Sequence, residues 1–182
     1  MAGSDQLGRL ASLIQRRNLV DAEIAVTIGR PAHPGHIGEY VAAEIFEITL
    51  YGSASHKGAD GYFVHGPLAG RSVNIKKYSK DEGVLDIRPD ALPDFFLVLT
   101  GPKRHAASSR GTTAPWTIES IYLFEAAQLL AQLSARGVKI GVATSVRRLI
   151  WDDAEVYPAP TNRSLRLTPE QVSLIDLFRD RD

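Results

Sequence analysis

Residues 95–101 (FFLVLTG) are the most constraining segment of this sequence, because nearly every side chain in the run is apolar. A run of this kind is typical of a β-strand that is buried on both faces of a sheet. The earlier run 71–78 (RSVNIKKY) alternates instead, with Val73 and Ile75 predicted on one face and polar residues on the other. Together the two runs predict a central sheet with at least one strand covered on both sides.

Segments on either side of these strands predict helices and further strands. Apolar residues recur at helical spacing in residues 4–18, 21–28, 36–48, 125–136, 145–154 and 169–178. Further strands are predicted at 62–64, 116–124 and 139–144. Together these elements predict an α/β (α+β) fold. We expect an N-terminal helical extension over 1–32, a core over 33–160, and a C-terminal segment over 161–182 whose helix packs on the core.

The composition excludes several classes of protein. The 182 residues contain no cysteine, which excludes a disulfide framework, a zinc ribbon, an iron–sulfur centre and a thiol nucleophile. No apolar run is long enough to cross a membrane, and the segment around Asp5 lacks the apolar region of a secretory signal, so we expect a cytoplasmic protein. Basic and acidic residues number 21 each, so any binding of nucleic acid must depend on a local basic surface.

Three segments carry side chains suited to phosphodiester chemistry. Glu39 lies on a predicted helix, and Asp60 precedes a predicted strand. Asn74 and Lys76 are two residues apart on the following strand, so their side chains share a face. Carboxylate oxygens bind Mg²⁺ or Mn²⁺, and a lysine ammonium stabilises the charge that develops on a reacting phosphate. A hairpin between the two strands would bring Asp60 close to Lys76.

The order of these features over residues 36–100 resembles the PD-(D/E)xK restriction-endonuclease-like superfamily: a helix acid, Asp-Gly, a hairpin, a hydrophobic-x-hydrophobic-x-Lys strand and FFLVLTG. The resemblance implies a mixed sheet flanked by helices. It also implies Asp60, Glu39 and Asn74 as ligands of Mg²⁺ or Mn²⁺, with Lys76 acting on the attacking water. Asn74 departs from the family pattern, because an acid is usual there and Asn offers only a neutral carbonyl oxygen.

The chain also looks like a group of bacterial proteins of uncharacterised function. The shared motifs are GHIGE, SHKGxDG, GRxVNIKxY and DxLPDFFLVLTGP. This likeness spans most of the chain but implies no activity.

Basic residues near these positions are candidates for contacts with DNA phosphates. They are Lys77, Lys80, Lys103, Arg104 and Arg110, the last three in the acid-free loop 101–118. The acids Asp81, Glu82 and Asp86 reduce the positive charge of this region.

The candidate residues also have structural interpretations. Asp60-Gly61 is typical of a turn, and Glu39 suits the first turn of a helix, where an acid interacts favourably with the helix dipole. A lysine such as Lys76 on the polar face of a strand is commonly solvated.

The sequence predicts a Mg²⁺- or Mn²⁺-dependent nuclease that acts on DNA, of the restriction, repair or defence type. Two alternatives remain open. Residues 22–46 loosely resemble a helix-turn-helix of a DNA-binding regulator, although the link from Gly29 to His36 is longer than usual. Asn74 instead favours an inactive nuclease-like fold that serves as a DNA-binding or protein-interaction module. A homodimer is compatible with all three.

Overall fold

A mixed sheet organises the molecule, which we describe from a computed structural model for residues 2–52, 58–103 and 115–180. The α-helices of these residues are α1 (Ala2–Ile28), α2 (Pro34–Phe46), α3 (Ala126–Ser134), α4 (Arg148–Ala154) and α5 (Pro169–Asp176). The strands are β1 (Ile48–Leu50), β2 (Gly61–Phe63), β3 (Ser72–Tyr78), β4 (Val84–Leu85), β5 (Phe95–Thr100), β6 (Ser120–Glu125), β7 (Thr144–Ser145) and β8 (Glu155–Tyr157). The α+β class predicted from the sequence is confirmed.

The main sheet is mostly antiparallel, with the strand order β1-β2-β3-β5-β6-β8. Its one parallel pair is β3 with β5, in which Val73 lies opposite Phe95 and Tyr78 opposite Thr100. Parallel neighbours need a crossover connection, and here residues 79–94 cross one face of the sheet. This connection includes β4, which pairs with β7 in a separate two-stranded sheet.

Strand β5 is buried on both faces, as its apolar sequence predicts. Leu97 packs in the cluster that contains Ala42 of α2 and Ile175 of α5. Val98 packs in the cluster on the opposite face, which contains Trp151 of α4. Each of these side chains is at most 1% exposed, so the core is a pair of apolar layers with β5 between them.

The N-terminal region forms one continuous helix, α1, and the prediction of two helices at 4–18 and 21–28 is wrong. No Gly or Pro separates the two predicted segments, so the backbone hydrogen bonds continue through Asn18 and Leu19. The helix ends before Gly29, whose φ of 67° is the left-handed conformation that terminates many helices.

The predicted strand at 139–144 is also wrong, since only Thr144 of that segment is part of a strand. The Thr144 hydroxyl donates to the Gly141 carbonyl and accepts from its N–H, which folds 141–144 into a turn. The sheet edge beside β6 is occupied instead by β8. The helix predicted at 145–154 is shorter and begins at Arg148.

Helix α5 opens with the capping box predicted from the sequence. The Thr168 hydroxyl accepts from the Gln171 N–H, and the Gln171 side chain accepts from the Thr168 N–H. Gln171 also donates to the Ile45 carbonyl at 2.9 Å, so the cap ties α5 to α2. Among the described residues, no helix is both long and apolar enough to span a membrane.

Helix α2 crosses β3 at a close contact that only glycine permits. A Cβ atom built on Gly38 would lie 2.7 Å from the Cβ of Lys77. Because that atom is fixed to the β3 backbone, the helix and the strand would have to separate to admit a larger residue. This approach positions the next residue of α2, Glu39, beside the strand.

Gly38→Ala is therefore expected to lower the free energy of unfolding by about 1–3 kcal/mol, as overpacked cores do, despite the better helix propensity of alanine. The matched control is Gly35→Ala in the first turn of the same helix, where an added Cβ meets nothing within 4 Å. This control should leave stability unchanged or raise it by up to about 1 kcal/mol. Urea denaturation measures both, and equal effects would contradict the close contact.

Candidate functional site

Asp60 lies where β2 separates from β3. The two strands pair only at Gly61 with Val73 and at Tyr62 with Ser72. Beyond that point the Asp60 side chain, and not a β2 backbone carbonyl, bonds to β3: its Oδ2 accepts the Ile75 N–H at 2.6 Å. The side chain is thereby held at the open edge of β3.

The backbone around Asp60 is fixed from both sides. Its N–H donates to the Val73 carbonyl at 2.8 Å, and its carbonyl accepts the Tyr51 N–H at 2.8 Å. A Cβ on the following residue, Gly61, would lie 2.3 Å from the Thr49 carbonyl oxygen. The Asp-Gly pair is thus part of a three-stranded junction and not an isolated turn.

Glu39 approaches the same edge from α2. It is the sixth residue of the helix, beyond the first turn in which an acid interacts with the helix dipole. Its side chain is only 18% exposed, and its Oε2 pairs with Arg30 Nη1 at 2.5 Å. The dipole interpretation of Glu39 is therefore not supported by its position.

The charges of Glu39 and Lys76 both act on Asp60. Burial raises the pKa of Asp60, and the charge of Glu39 raises this pKa further. A hydrogen bond from Ile75 and the positive charges of Lys76 and Arg30 lower it. Residues from α2, from the start of β2 and from the middle of β3 therefore occupy one region.

Lys76 is partly buried and interacts electrostatically with two carboxylates. Burial lowers the pKa of Lys76, and the negative charges of Asp60 and Asp86 raise it. Its Nζ is also 5.9 Å from the centroid of the Phe96 ring. A lysine in this setting can donate to an anionic group that enters the site, and its desolvation eases the release of a proton.

Asn74 carries an oxygen atom that lacks a partner. Asn74 and Lys76 alternate with the core residues Val73 and Ile75, so they share the face predicted from the sequence. The Asn74 Oδ1 is buried and makes no hydrogen bond within the described part of the chain. A buried carbonyl oxygen without a donor is costly, and a hard cation is one group that would satisfy it.

The donor set for a metal is small. Asp60 and Glu39 supply two carboxylates, and Asn74 supplies a neutral oxygen. Over residues 2–52, 58–103 and 115–180, no group of three or more His, Asp or Glu side chains is placed to hold a metal ion. Two carboxylates and one neutral oxygen are fewer ligands than a closed protein cage for a divalent cation provides, so an ion held here would retain several water ligands.

The three predicted phosphate-contacting residues that the structure describes lie in different settings. Lys77 lies on the opposite face of β3 from Lys76, with its Nζ 5.1 Å from the Trp116 ring centroid and 2.8 Å from the Tyr78 carbonyl oxygen. Lys80 pairs with Glu82 at 2.5 Å. Lys103 is exposed. Arg104 and Arg110 lie outside the described residues.

The position of Lys77 has a consequence for stability. Burial lowers the pKa of Lys77 from 10.5 to about 8. The folded state therefore releases this proton at lower pH than the unfolded state does. The wild-type protein therefore gains stability as the pH rises from about 8 to about 10.5, and the full cost of the buried charge is present below about pH 8.

Lys77→Met is expected to stabilise the protein near neutral pH by on the order of 1 kcal/mol, a value reduced for the partial exposure of the amine. The gain should shrink as the pH approaches about 10.5. Urea denaturation at several pH values measures the trend, and the exposed Lys139→Met serves as the control. A gain in stability that is independent of pH would contradict the lowered pKa of Lys77.

Sequence reasoning missed Arg30 in this region and named Asp86 only as a nearby negative charge. Arg30 follows the end of α1 and pairs with Glu39, nine positions later. Asp86 accepts the Ala143 N–H at 2.7 Å and lies within electrostatic reach of Lys76. Neither residue belongs to a recognisable motif, and both contacts depend on how distant segments pack.

A cavity with polar lining residues lies elsewhere in the described part of the molecule. It has a volume of about 430 Å³ and lies between α3, α4 and residues 161–164, with Gln128, Asp153 and Arg163 among its lining residues. None of the four predicted catalytic residues lines it, so the candidate site is an open sheet edge and not this cavity.

Comparison with known protein families and with curated proteins finds no match to this chain. The assignment of a function therefore depends on the site itself.

Proposed function

We propose that this protein is a divalent-metal-dependent phosphodiesterase that cleaves DNA. The observation that carries the proposal is that Glu39 and Lys76, from two other segments, both act electrostatically on Asp60, which lies at the open edge of β3. The resemblance of residues 36–100 to the restriction-endonuclease-like superfamily, which is a fold-level analogy, points to the same chemistry.

Each side chain has a role that its position supports. Asp60 and Asn74 would hold Mg²⁺ or Mn²⁺ through oxygen atoms, with Glu39 contributing directly or through a water molecule. The bound ion would supply Lewis-acid stabilisation of the scissile phosphate. Lys76, held near Asp60, donates to the attacking water or to the phosphate oxygens and stabilises the developing negative charge. Lys80 and Lys103, together with Arg104 and Arg110, would contact the DNA backbone.

A second candidate is an inactive nuclease-like fold that binds DNA or protein. The observations that favour it are the neutral Asn74 and the absence, among the described residues, of a group of three or more His, Asp or Glu side chains placed to hold a metal ion. Cleavage of supercoiled plasmid in Mg²⁺ or Mn²⁺, compared with the same reaction in EDTA, separates the two candidates. Cleavage that requires the ion supports the enzyme, and DNA binding without cleavage supports the module.

Asn74→Asp tests the ligand assignment directly. We expect the added carboxylate to raise the affinity for Mn²⁺ roughly 10-fold, because ligand charge sets affinity at such sites. Without metal, the same change should destabilise the protein, because Asp60 and Glu39 already place negative charge nearby. Calorimetric titration with Mn²⁺ and thermal unfolding with and without Mg²⁺ measure the two effects. An unchanged affinity would remove Asn74 from the ligand set.

A further inference from the structure

The N-terminal half of α1 carries an apolar face that no described residue covers. Every side chain from Asp5 to Val20 is exposed. Five apolar residues of this segment, each 49–68% exposed, lie on one side of the helix: Leu7, Leu10, Leu13, Ile14 and Val20. At 3.6 residues per turn they fall within an arc of roughly 140°. We call these five residues the α1 stripe.

At the C-terminal end of α1, the same face of the helix packs against the rest of the protein. Ile24 and Ile28 continue the stripe at helical spacing and are partly buried where α1 meets α2. The stripe therefore extends the packing face of α1 by about 24 Å beyond the body of the molecule. Helix propensity alone stabilises such a helix only weakly in water. We therefore expect an apolar helical partner to cover the stripe.

We propose that the α1 stripe pairs with the same stripe of a second copy of this chain, as an antiparallel two-helix contact. Charges on the stripe face select this orientation. Arg17 and Asp21 lie within the face and pair with each other at 3.4 Å. A parallel pair would place Arg17 beside Arg17 and Asp21 beside Asp21, which repel.

An antiparallel pair centred between Leu13 and Ile14 avoids this repulsion. Arg17 then faces Leu10 of the second copy, and Asp21 faces its Gln6. The two Arg17 residues are about 10 Å apart along the axis, and the two Asp21 residues about 20 Å. Both copies contribute the same surface, as a two-fold interface requires.

The composition of α1 argues against a lipid surface as the occupant. Helices that lie on membranes are rich in basic residues on the polar face and carry aromatic residues. The 27 residues of α1 contain three arginines, three acids and no aromatic residue. A contact between two single helices is at the small end of specific interfaces, below about 1,200 Å². The dimer should therefore be reversible, with a dissociation constant in the micromolar range.

Sedimentation velocity over a concentration series of the full chain tests the pairing. We expect the mass to rise from 19.9 kDa toward twice that value. Leu10→Lys/Ile14→Lys should weaken the dimer by roughly 100-fold, since it places charge in the centre of the stripe. The matched control is Leu19→Lys/Val26→Lys, on the opposite face of the same helix, where the two residues are 67% and 85% exposed. This control should change the dissociation constant by less than about threefold.

Cross-linking tests the orientation, and the absence of native cysteine makes the result unambiguous. A short bismaleimide should link Leu13→Cys to its copy efficiently. It should fail with Gln6→Cys, whose copies are about 20 Å apart in the antiparallel pair. Equal linking of both variants would overturn the antiparallel arrangement.

A chain that stays monomeric at all concentrations would overturn the pairing, as would a dimer that the stripe variant does not weaken. Binding of a monomeric chain to neutral or anionic phospholipid vesicles, lost in the stripe variant, would assign the stripe to a lipid surface instead.

Discussion

Lys76→Met is expected to abolish the proposed Mg²⁺-dependent cleavage of plasmid DNA, with a loss of about 10³-fold or more in the rate. Asp60 and Asp86 both act on Lys76, and methionine keeps the length of the lysine while removing its charge and its donors. Asp60→Asn should cause a loss of similar size, because it removes the charge of a proposed metal ligand. The initial rate of nicking of supercoiled plasmid measures both.

Two exposed residues provide matched controls for these variants. Asp90 is 70% exposed on its side chain and pairs only loosely with Arg88 at 3.9 Å, so Asp90→Asn should leave the rate unchanged. Lys139 is exposed on another part of the surface, and Lys139→Met should also leave it unchanged. Wild-type cleavage that survives in both Asp60→Asn and Lys76→Met would contradict the proposed site.

Arg148→Met is expected to lower the free energy of unfolding by about 3 kcal/mol. The Asp81 side chain is only 2% exposed, and its Oδ2 accepts from Arg148 Nη1 at 2.6 Å and from the Tyr122 hydroxyl at 3.0 Å. Glu155 is 7% exposed and lies 3.8 Å from the same guanidinium. Removing Arg148 leaves two buried carboxylates without their cation. We place the cost at the low end for a broken buried pair because the arginine side chain is 43% exposed.

Thermal and urea unfolding measure this effect, which should lower the Tm by roughly 6–12 °C. Arg147→Met, on the exposed neighbouring residue, should change stability by less than about 0.5 kcal/mol. The double variant Asp81→Leu/Arg148→Met should recover part of the loss, since an apolar pair can replace a buried ion pair. Additive losses in the double variant would show that the two residues do not interact.

Local patterns in the sequence predicted the parts of the fold that depend on local chemistry. The apolar run 95–101 predicted a doubly covered strand, and Thr168 with Gln171 predicted a helix start. The end of α2 could not be predicted in this way. The sequence pattern extends the helix to residue 48, but it ends at Phe46 because Glu47 adopts a left-handed φ of 52°. Glutamate gives no signal for that conformation.

The candidate site was also predictable only in part, because some of its contacts depend on how distant segments pack. Alternation along β3 predicted that Asn74 and Lys76 share a face, and the same alternation predicts that Lys77 faces the other way. Lys77 was nevertheless proposed as a phosphate contact from its charge alone. Arg30 and Asp86 contact the site through the packing of α1 and the 79–94 crossover, which no local pattern records.

We propose that Glu39, Asp60 and Asn74 surround one bound cation beside Lys76. Paramagnetic broadening of backbone amide NMR signals by a small amount of Mn²⁺ tests it most directly. We expect the amides of Glu39, Asp60 and Ile75 to broaden together, those of α3 to keep their intensity, and Asp60→Asn to abolish the effect. Broadening scattered over exposed acids, or none at this edge of β3, would contradict it.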